Sequence, residues 1–475
     1  MEEPARSSVL YVRSMSSAEL EFEDFLREED ELQKQRHKDF QKPKNPIQPL
    51  DYKYKLDCTL PEYSPRFINV PTIIVLVGLP ARGKTYIAKK LGRYLNWISI
   101  QTKVFNVGEY RRKVVGTDKL HDFFRVDNEQ AQAIRRQCAL TCLEDVSKWL
   151  SEGGQAAIFD ATNSTRERRG LVLEFCLRRG YKVFFMESVC TSSEIVSSNV
   201  KEVKVFSPDY KEVDKETAYQ DFVERIRHYE EAYEPLTLDY DGDSSFIKII
   251  NAGEQYLVNN IDGYLQSKAV YFLMNLHIRK RSIYLVRHGG SEDNLKKTIG
   301  GDSPLTSEGD KFAKALADFI DNENVDDLQV WTSQLRRAVD TGKYIRKIPV
   351  EQWKALDEMD YGLYDGMNEE ELLSIDPDEQ AAMHANKFLY RYPMGESYSD
   401  MCARLEPVIM ELERSNNILI ISHEAVIQIL MGYFTDHTSD EFPHLHIPHN
   451  TIFKLTPIAY GCRVETFTLS QTANR

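Results

Sequence analysis

One short motif constrains this chain more than any other feature: Gly78 to Thr85 reads G-L-P-A-R-G-K-T. It follows T-I-I-V-L-V, an apolar run typical of a strand buried on both faces of a parallel sheet, and it precedes a helical pattern. In this setting G-x-x-x-x-G-K-[ST] is a phosphate-binding loop, whose backbone N–H groups surround phosphate oxygens. Lys84 would reach the β- and γ-phosphates, and the Thr85 hydroxyl would hold Mg²⁺. The motif therefore predicts a site for a nucleoside triphosphate with Mg²⁺.

Strand and helix patterns alternate after this motif. They predict strands at T-K-V-F-N-V, Q-A-A-I-F-D and K-V-F-F-M-E-S-V-C and a long helix over 128–154, as in a doubly wound α/β domain with a mainly parallel sheet. A helical pattern from residue 259 leads into S-I-Y-L-V-R-H-G near 282, where a second alternating block begins. We therefore expect an extension at 1–70, rich in charge and proline, α/β domains at 71–281 and 282–460, and a polar tail at 461–475.

Composition excludes several classes of protein. Hydrophobic residues make up 42% of the 475 residues, which excludes global disorder. No apolar run approaches the roughly 18 to 20 residues of a membrane span, and no basic segment followed by an apolar block opens the chain. The seven cysteines form no C-x-x-C pair, and the net charge is −14. These features predict a cytoplasmic protein with reduced thiols that binds neither membranes nor nucleic acid.

A carboxylate and a set of cations are candidates for the acceptor side of the first domain. Asp160 ends a buried strand, the edge where α/β domains place functional groups. It would be a catalytic carboxylate or a group beside magnesium, and the alternative is a helix N-cap or a turn. Arginine forks suit phosphate dianions, and the cations gather at Arg111, Arg112, Arg135, Arg136, Arg166, Arg168, Arg169, Lys201 and Lys204. The pattern favours a kinase that acts on a phosphorylated small molecule.

The second block carries two histidines at strand ends. Arg287 and His288 follow S-I-Y-L-V, and His423 follows N-I-L-I-I-S. An imidazole can attack phosphorus if cations neutralise the phosphoryl group and an acid protonates the leaving oxygen. Arg287, Arg337 and His423 would be the neutralising groups, and Glu358 would be the proton donor. The remaining histidines lack clean metal-ligand spacing, and P-H-L-H-I-P-H-N is interpreted as a loop, not a zinc site.

A strand-end R-H-G with a partner histidine resembles the histidine-phosphatase (phosphoglycerate mutase-like) superfamily. The kinase block followed by the R-H-G block, over residues 71 to about 465, resembles the bifunctional 6-phosphofructo-2-kinase/fructose-2,6-bisphosphatase family. The resemblance extends through V-G-L-P-A-R-G-K-T-Y-I, F-D-A-T-N, T-R-E-R-R, S-P-D-Y, I-G-G-D-S, G-E-S-Y and R-L-E-P-V-I-M-E-L-E-R. It implies a kinase that makes fructose 2,6-bisphosphate from fructose 6-phosphate and MgATP, and a phosphatase that hydrolyses the 2-phosphate through a phosphohistidine without a cofactor.

The resemblance also implies roles for individual residues. In the kinase, Asp160 and Cys190 match active-site positions, although a strand-end cysteine is more often a core residue. ATP contacts would be Gly78, Leu79, Pro80, Ala81, Arg82, Gly83, Lys84, Thr85, Asn199 and Lys204. Fructose 6-phosphate contacts would be Arg111, Arg135, Thr162, Arg168, Lys204, Arg225 and Tyr229. In the phosphatase, His288 would form the phosphohistidine, Glu358 and His423 would complete the catalytic set, and fructose 2,6-bisphosphate would contact Arg287, Asn294, Gly300, Arg337 and Arg391.

The second domain departs from the family pattern around an intact catalytic set. The differences are Gly290 for glutamate, Glu369 for tyrosine, Met383 for arginine, Met394 for lysine, Glu424 for glutamine and Gln428 for arginine. Each lost charge-assisted hydrogen bond is worth about 1.5–3 kcal/mol, so losing two or three cations would weaken binding of the 6-phosphate by orders of magnitude. Arg391 remains and could compensate in part. The expectation is a kinase-dominant enzyme with a weakened phosphatase.

Two other readings stay open at the level of sequence. One is a different kinase fused to a phosphatase for another phosphoester. The other is a regulator that binds sugar phosphates through degenerate sites, or a phosphatase domain that serves only this purpose. The family resemblance suggests a homodimer, and serines beside arginines at Ser7, Ser8, Ser14 and Ser16 are candidates for phosphorylation.

Overall fold

The first half of the protein is built on a six-stranded sheet. The structure, a computed structural model, describes residues 70–117, 120–201, 207–210, 213–277, 281–374, 377–458 and 461–469. The strands of the first sheet are β1 (Thr72–Val77), β2 (Thr102–Asn106), β3 (Ala156–Asp160), β4 (Lys182–Val189), β5 (Phe246–Ile250) and β6 (Gln255–Asn259), in the order β2-β3-β1-β4-β5-β6. The first five are parallel to their neighbours, and β6 runs antiparallel to β5 at the edge.

Helices cover this sheet on both faces, as expected of a doubly wound fold. The central strand β1 is buried along its whole length, which explains its uninterrupted apolar sequence. Side chains cap several helix starts, as where Asn128 accepts the backbone N–H of Ala131. The helices are α1 (Lys84–Trp97), α2 (Val107–Val115), α3 (Glu129–Ser151), α4 (Arg166–Arg178), α5 (Ser193–Asn199), α6 (Lys215–Glu231), α7 (Leu238–Asp241) and α8 (Tyr264–Asn275).

The helical pattern predicted from residue 259 was placed too early. Its first residue, Asn259, ends β6, and α8 begins only at Tyr264. The sequence prediction contained neither β5 nor β6. Both strands depend on pairing with β4 and with each other, which a local pattern does not reveal.

The second half has its own six-stranded sheet. Its strands are β7 (Ile283–Arg287), β8 (Gln329–Thr332), β9 (Val350–Gln352), β10 (Ile418–Ser422), β11 (Thr451–Ile458) and β12 (Gly461–Thr468), in the order β12-β11-β7-β10-β8-β9. Strands β7 to β10 are parallel, and β11 and β12 form an antiparallel hairpin at one edge. The prediction of a tail from Gly461 is therefore wrong over Gly461–Thr468, because these residues pair with β11 along their whole length.

The helices of the second half flank this sheet. They are α9 (Glu292–Lys296), α10 (Ser307–Glu323), α11 (Arg336–Gly342), α12 (Glu369–Leu373), α13 (Pro377–Ala385), α14 (Tyr398–Arg414) and α15 (Glu424–Thr435). Helix α14 starts with a capping box in which Ser397 and Asp400 satisfy each other's backbone N–H groups. Among the described residues, no helix combines the length and apolarity needed to cross a bilayer. The fold class is therefore α/β in both halves, as predicted.

The two halves share a hydrophobic core along α1, the helix that follows the phosphate-binding loop. The Tyr94 ring stacks on Phe272 at 4.6 Å, and Trp97 meets Tyr433 of the second half edge-on at 5.8 Å. Polar contacts run beside this core, because Arg93 pairs with Asp436 at 2.5 Å. The phosphate-binding loop is therefore mounted on a helix that both halves hold.

Candidate active sites

The loop Gly78–Thr85 connects β1 to α1 and turns tightly. Gly78 has a φ of +132°, and a Cβ there would lie 2.5 Å from the carbonyl oxygen of Ser188 on the neighbouring strand. The loop is held from outside by Asn199, whose amide donates to the carbonyl oxygen of Ala81 at 3.0 Å. Lys84 donates to the carbonyl oxygen of Leu79 at 2.5 Å. The loop thus has the compact shape that wraps backbone N–H groups around phosphate oxygens.

The loop opens into a cleft of about 1910 Å³. Asp160 lies on the cleft wall at the end of β3, only 3% exposed, and it accepts the Asn106 side-chain amide at 2.6 Å. Cys190 is partly exposed on the same wall, with its sulfur 3.8 Å from the carbonyl oxygen of Ser192. Other predicted residues that line this cleft are Pro80, Ala81, Arg82, Gly83, Lys84, Thr85, Arg111, Arg135, Thr162, Arg168, Asn199, Arg225 and Tyr229. Lys204 lies outside the described residues.

Two arginines that line the cleft share one buried carboxylate. Arg111 donates to both oxygens of Asp209 at 2.7 Å, and Arg225 donates to the same carboxylate at 3.3 Å. Arg225 also lies over the ring of Phe124, 3.7 Å from its centroid. Burial and the neighbouring Arg225 lower the pKa of Arg111. The Nη1 of Arg111 and the Nε of Arg225 are buried without a hydrogen-bond partner, so both arginines keep donors available for an anion.

A second pair of cations adjoins these arginines. Arg168 donates to the backbone carbonyl of Arg135 at 3.1 Å, and burial lowers the pKa of Arg168. Burial alone would raise the pKa of Tyr229, but the positive charges of Arg135 and Arg225 outweigh it and lower that pKa. This part of the cleft wall is therefore electropositive, as a site for a phosphorylated substrate requires.

The second site lies where β7 and β10 end. Arg337 donates through Nε to the Nε2 of His288 at 3.1 Å, while the Nδ1 of His288 is 2.8 Å from the carbonyl oxygen of Gly289. Nδ1 must carry the proton to make the second bond, so Nε2 holds the lone pair and is the nucleophilic atom. Burial, reinforced by Arg337, keeps the pKa of His288 well below its usual range. The imidazole is therefore neutral and ready to attack.

His423 and Glu358 complete this site. The Nε2 of His423 is 2.7 Å from the hydroxyl of Ser333, and its buried Nδ1 has no hydrogen-bond partner. Glu358 lies 3.8 Å from that Nδ1, and burial raises the pKa of its carboxyl. The Nε of Arg287 is also buried without a partner. Arginine donors beside an imidazole whose Nε2 carries the lone pair, together with a carboxyl of raised pKa, are the groups that phosphoryl transfer to a histidine requires.

Comparison with known proteins agrees with this pair of sites. The 6-phosphofructo-2-kinase family model matches residues 61–280, and the histidine phosphatase superfamily (branch 1) model matches residues 283–470. Human 6-phosphofructo-2-kinase/fructose-2,6-bisphosphatase 3 is 52% identical over 424 residues, which cover 89% of this chain and 81% of the human protein. The chain belongs to the 6-phosphofructo-2-kinase/fructose-2,6-bisphosphatase family.

Relatives in other vertebrates match to a similar extent. The rat protein 6-phosphofructo-2-kinase/fructose-2,6-bisphosphatase 1 is 52% identical over 410 residues, covering 86% of this chain and 87% of its own length. A 6-phosphofructo-2-kinase/fructose-2,6-bisphosphatase from Aquarana catesbeiana is 53% identical over 407 residues, covering 86% of each chain. These matches run through both halves, so the chain is a bifunctional member of the family, with a kinase domain and a bisphosphatase domain.

The remaining predicted phosphatase residues have varied surroundings. Asn294 is engaged in a capping box with Ser291 at the start of α9. Gly300 has a φ of +70°, and a Cβ there would collide with the carboxylate of Asp365. Arg391 is mostly exposed and pairs with Asp400. Of the predicted set, the structure brings His288, Arg287, Arg337, Glu358 and His423 together, whereas Arg391 is engaged elsewhere.

The positions that depart from the family pattern differ from one another in burial and in contacts. Gln428 is buried, accepts the Tyr398 hydroxyl at 2.6 Å and donates to the carbonyl oxygen of Leu445 at 2.7 Å. Met394 is 85% exposed, and Met383 is half-buried. Glu369 begins α12, but its side chain is not described. At Gly290 a Cβ would meet only the Thr306 hydroxyl, at an ordinary 3.6 Å, so a side chain would fit there.

Several contributors were missed by sequence reasoning. Asp209 holds the cleft arginines, and Arg404 supports Glu358 by donating to the backbone oxygens of Ala355 and Asp357 at 2.8 and 3.0 Å. His449, interpreted as a loop residue, lies 3.2 Å from the carbonyl oxygen of His288. All three lie in segments that the sequence analysis singled out, Asp209 in S-P-D-Y, Arg404 at the start of R-L-E-P-V-I-M-E-L-E-R and His449 in P-H-L-H-I-P-H-N, but none was assigned a role. Within the described ranges, no cluster of three His, Cys, Asp or Glu side chains could hold a metal ion.

Proposed function

We propose that the first domain transfers the γ-phosphoryl group of ATP to the 2-hydroxyl of fructose 6-phosphate, and that the second domain hydrolyses that 2-phosphate. The observation that carries this proposal is one cleft lined both by the phosphate-binding loop and by Arg111 and Arg225, with unpartnered donors on both arginines. The loop suits a nucleoside triphosphate, and the two arginines suit the 6-phosphate of a sugar. Fructose 6-phosphate would then present its 2-hydroxyl to the γ-phosphate of the nucleotide.

In the kinase, Lys84 and Asp160 would carry the chemistry. Lys84 would exchange its bond to the Leu79 carbonyl for the β- and γ-phosphates, and so neutralise charge as it is transferred. Asp160 would accept the proton of the attacking 2-hydroxyl, since it is buried and fixed by Asn106 on the cleft wall. Cys190 and Asn199 would contact the nucleotide side of the cleft, and Thr162 with Tyr229 would contact the sugar.

Magnesium would accompany ATP at Thr85. The hydroxyl of Thr85 lines the cleft and is an oxygen ligand of the kind that Mg²⁺ prefers. When bound, the ion would neutralise the β- and γ-phosphates. The phosphatase is proposed to need no cofactor, because its own residues supply the nucleophile, the cations and the acid.

In the phosphatase, hydrolysis would proceed in two steps. The Nε2 of His288 would attack phosphorus while the bond to the fructose oxygen breaks, and the protonated Glu358 would give its proton to that oxygen. Water would then attack the phosphohistidine, and the Glu358 carboxylate would take a proton from it, so that phosphate leaves and both groups return to their starting states. Arg287, Arg337 and His423 would hold the phosphoryl oxygens in both steps, and Asn294 and Gly300 would line the entrance.

We further propose that the phosphatase is the weaker activity. Where the family carries an arginine, Gln428 is neutral and fully engaged with Tyr398 and Leu445. Arg391, the candidate for compensation, is paired with Asp400 at the surface. The alternative is a phosphatase domain that acts on another phosphoester or serves only to bind sugar phosphates.

Assembly and location are also proposals. A homodimer is supported by β6, an edge strand with an unpaired side and with Leu257 and Val258 more than a third exposed. The described cysteines are all free, which supports a reducing compartment such as the cytoplasm. The net charge of −14 is consistent with partners that are metabolites and not nucleic acids.

A substrate comparison tests this function. The purified chain is incubated with MgATP and either fructose 6-phosphate, fructose 1-phosphate or glucose 6-phosphate, and the product is identified by NMR. We expect phosphorylation of fructose 6-phosphate at position 2. In parallel, kcat/KM for hydrolysis of fructose 2,6-bisphosphate is compared with that of the human relative. A faster reaction on another sugar, or an equal kcat/KM for hydrolysis, would overturn the corresponding part of the proposal.

A further inference from the structure

We infer that Glu424 lowers the affinity of the phosphatase site for phosphate, as an internal anion that competes with the substrate phosphoryl group for Arg287. This inference rests on the proposed phosphatase function and deepens it. Glu424 lies 2.9 Å from Arg287, whose position beside His288 makes it part of the phosphoryl clamp. A phosphoester that enters the site must therefore share Arg287 with a carboxylate of the protein or displace it.

The hydrogen bonds of the Arg287 guanidinium show which of its donors Glu424 and a substrate phosphoryl group would compete for. Its Nη1 contacts an oxygen of Glu424 and also donates to the backbone carbonyl of Ile447 at 3.0 Å. Its Nε is buried and has no hydrogen-bond partner. The protein thus engages Nη1, whereas the buried Nε stays available to a phosphoryl oxygen. A phosphoryl group that binds Nη1, or that brings its negative charge beside Glu424, must compete with this carboxylate, and the competition weakens the clamp.

The chain positions Glu424 at this point for a local reason. His423 ends the turn after β10, and Glu424 is the first residue of α15, a helix of 12 residues. Carboxylates are favoured in the first turn of a helix, and so are phosphates. The two anions therefore draw on the same positive potential as well as on the same arginine. Glu424 has a side chain 38% exposed, so it can move aside without unfolding the helix.

Other groups confirm that Glu424 faces the site. Its negative charge adds to the burial that raises the pKa of Glu358, and it opposes the burial that lowers the pKa of Lys387. Lys387 donates to the backbone carbonyl of Pro443 at 2.6 Å. The charged groups around the pocket therefore include Arg287, Arg337 and Lys387 against Glu424. Removing the charge of Glu424 makes the pocket more attractive to any phosphate.

The test is Glu424→Gln in the full chain, with inorganic phosphate as the probe. Phosphate is measured as a competitive inhibitor of fructose 2,6-bisphosphate hydrolysis, or of p-nitrophenyl phosphate hydrolysis if the bisphosphate reaction is too slow. We expect the inhibition constant for phosphate to fall about tenfold or more, because the Glu424 carboxylate no longer competes with phosphate for the charge-assisted hydrogen bond to Arg287. The kcat/KM for the bisphosphate should rise by a similar factor.

A matched control separates this effect from a general change of charge. Asp321→Asn removes a carboxylate from an exposed ion pair with Lys347 in the same domain, at 2.9 Å, and should leave the inhibition constant unchanged. Glu424→Ala is the second variant, and it should tighten phosphate binding as Glu424→Gln does. Thermal unfolding of all three variants is recorded, because an altered fold would change the unfolding temperature.

The outcomes distinguish this inference from the proposed function. An unchanged inhibition constant in folded Glu424→Gln and Glu424→Ala would overturn the competition, even if the chain hydrolyses fructose 2,6-bisphosphate. Tighter phosphate binding without hydrolysis of the bisphosphate by any variant would support the competition and overturn the assigned substrate. Weaker phosphate binding in both variants would mean that Glu424 orients Arg287 for the substrate, which also contradicts the inference.

Discussion

A buried carboxylate, Glu413, lies at the contact between the two domains, and we predict that Glu413→Gln destabilises the whole protein. Glu413 of the phosphatase domain is fully buried and accepts Lys90 of the kinase helix α1 at 2.9 Å. It also pairs with Arg281 at 2.6 Å and accepts the Tyr433 hydroxyl at 2.9 Å. Burial alone would raise the pKa of Glu413, but Lys90 and Arg281 lower it to about 2. The carboxylate therefore neutralises two buried cations, Lys90 of α1 and Arg281 at the boundary between the domains.

The size of the effect follows from what remains after the substitution. Glutamine keeps the volume but leaves Lys90 and Arg281, both under 5% exposed, without a counter-charge. Removing one partner of a buried ion pair costs about 3–5 kcal/mol. For domains of this size that corresponds to about 2–4 °C per kcal/mol, so we expect the unfolding temperature to fall by about 6–20 °C. Since Lys90 belongs to the helix after the phosphate-binding loop, heat should inactivate the kinase in parallel.

Differential scanning calorimetry and heat-inactivation of both activities measure this prediction. The control is Glu411→Gln, which removes a carboxylate from a solvent-accessible ion pair with Arg414 on the same helix and should change stability by less than about 1 kcal/mol. Because the pKa of Glu413 is depressed in the fold, its contribution is present above pH 4.5 and is lost as the pH falls toward 2. The gap between wild type and Glu413→Gln should therefore narrow on acidification. The expected decrease is roughly 6–20 °C, so an unfolding temperature of Glu413→Gln within about 2 °C of wild type at neutral pH would refute the reasoning.

Three further predictions concern catalysis. Asp160→Asn should slow synthesis by about 10²–10⁴-fold, as measured by product formation, without changing the unfolding temperature or hydrolysis, since asparagine can still accept Asn106. The phosphatase kcat/KM should fall as the pH rises, because the pKa of Glu358 is raised and its proton is lost on the alkaline side, and it should not fall near pH 6.5, because the pKa of His288 lies well below that usual value; a loss of activity centred near pH 6.5 on the acid side would contradict this. Arg404→Ala should reduce hydrolysis and spare synthesis, because Arg404 holds the backbone that carries Glu358, and equal loss of both rates would be inconsistent with that role.

The sequence predicted the parts of the fold that depend on local pattern. Strands β1, β3, β7 and β10 are buried, so their apolar runs are uninterrupted. Each strand ends at, or directly before, a candidate site: Gly78 follows β1, Asp160 ends β3, Arg287 ends β7 and His423 follows β10. The start of α1 at Lys84 follows from Gly83, whose left-handed backbone ends the loop. These features depend on residues that are adjacent in the sequence, so they could be predicted without a structure.

What the sequence did not reveal depends on residues far apart in the chain. The segment Gly461–Thr468 is polar enough to look like a tail, yet pairing with β11 makes it a strand. The same hairpin contributes Ile458 and Arg463 to the kinase cleft, which no motif indicated. Likewise, Glu424 was visible as a departure from the family pattern, but its pairing with Arg287 was not. Charge partners across a fold have no local signature, so the electrostatics of both sites required the structure.

The central claim is that one chain carries two separate phosphoryl-transfer sites, one that adds the 2-phosphate of fructose 2,6-bisphosphate and one that removes it. It is tested most directly by measuring synthesis from fructose 6-phosphate and MgATP, and hydrolysis of fructose 2,6-bisphosphate alone, in wild type, Lys84→Ala and His288→Ala. We predict that Lys84→Ala loses synthesis but keeps hydrolysis, that His288→Ala does the reverse, and that synthesis is the faster wild-type activity. Loss of both activities in either folded variant, or no fructose 2,6-bisphosphate from wild type, would contradict the account.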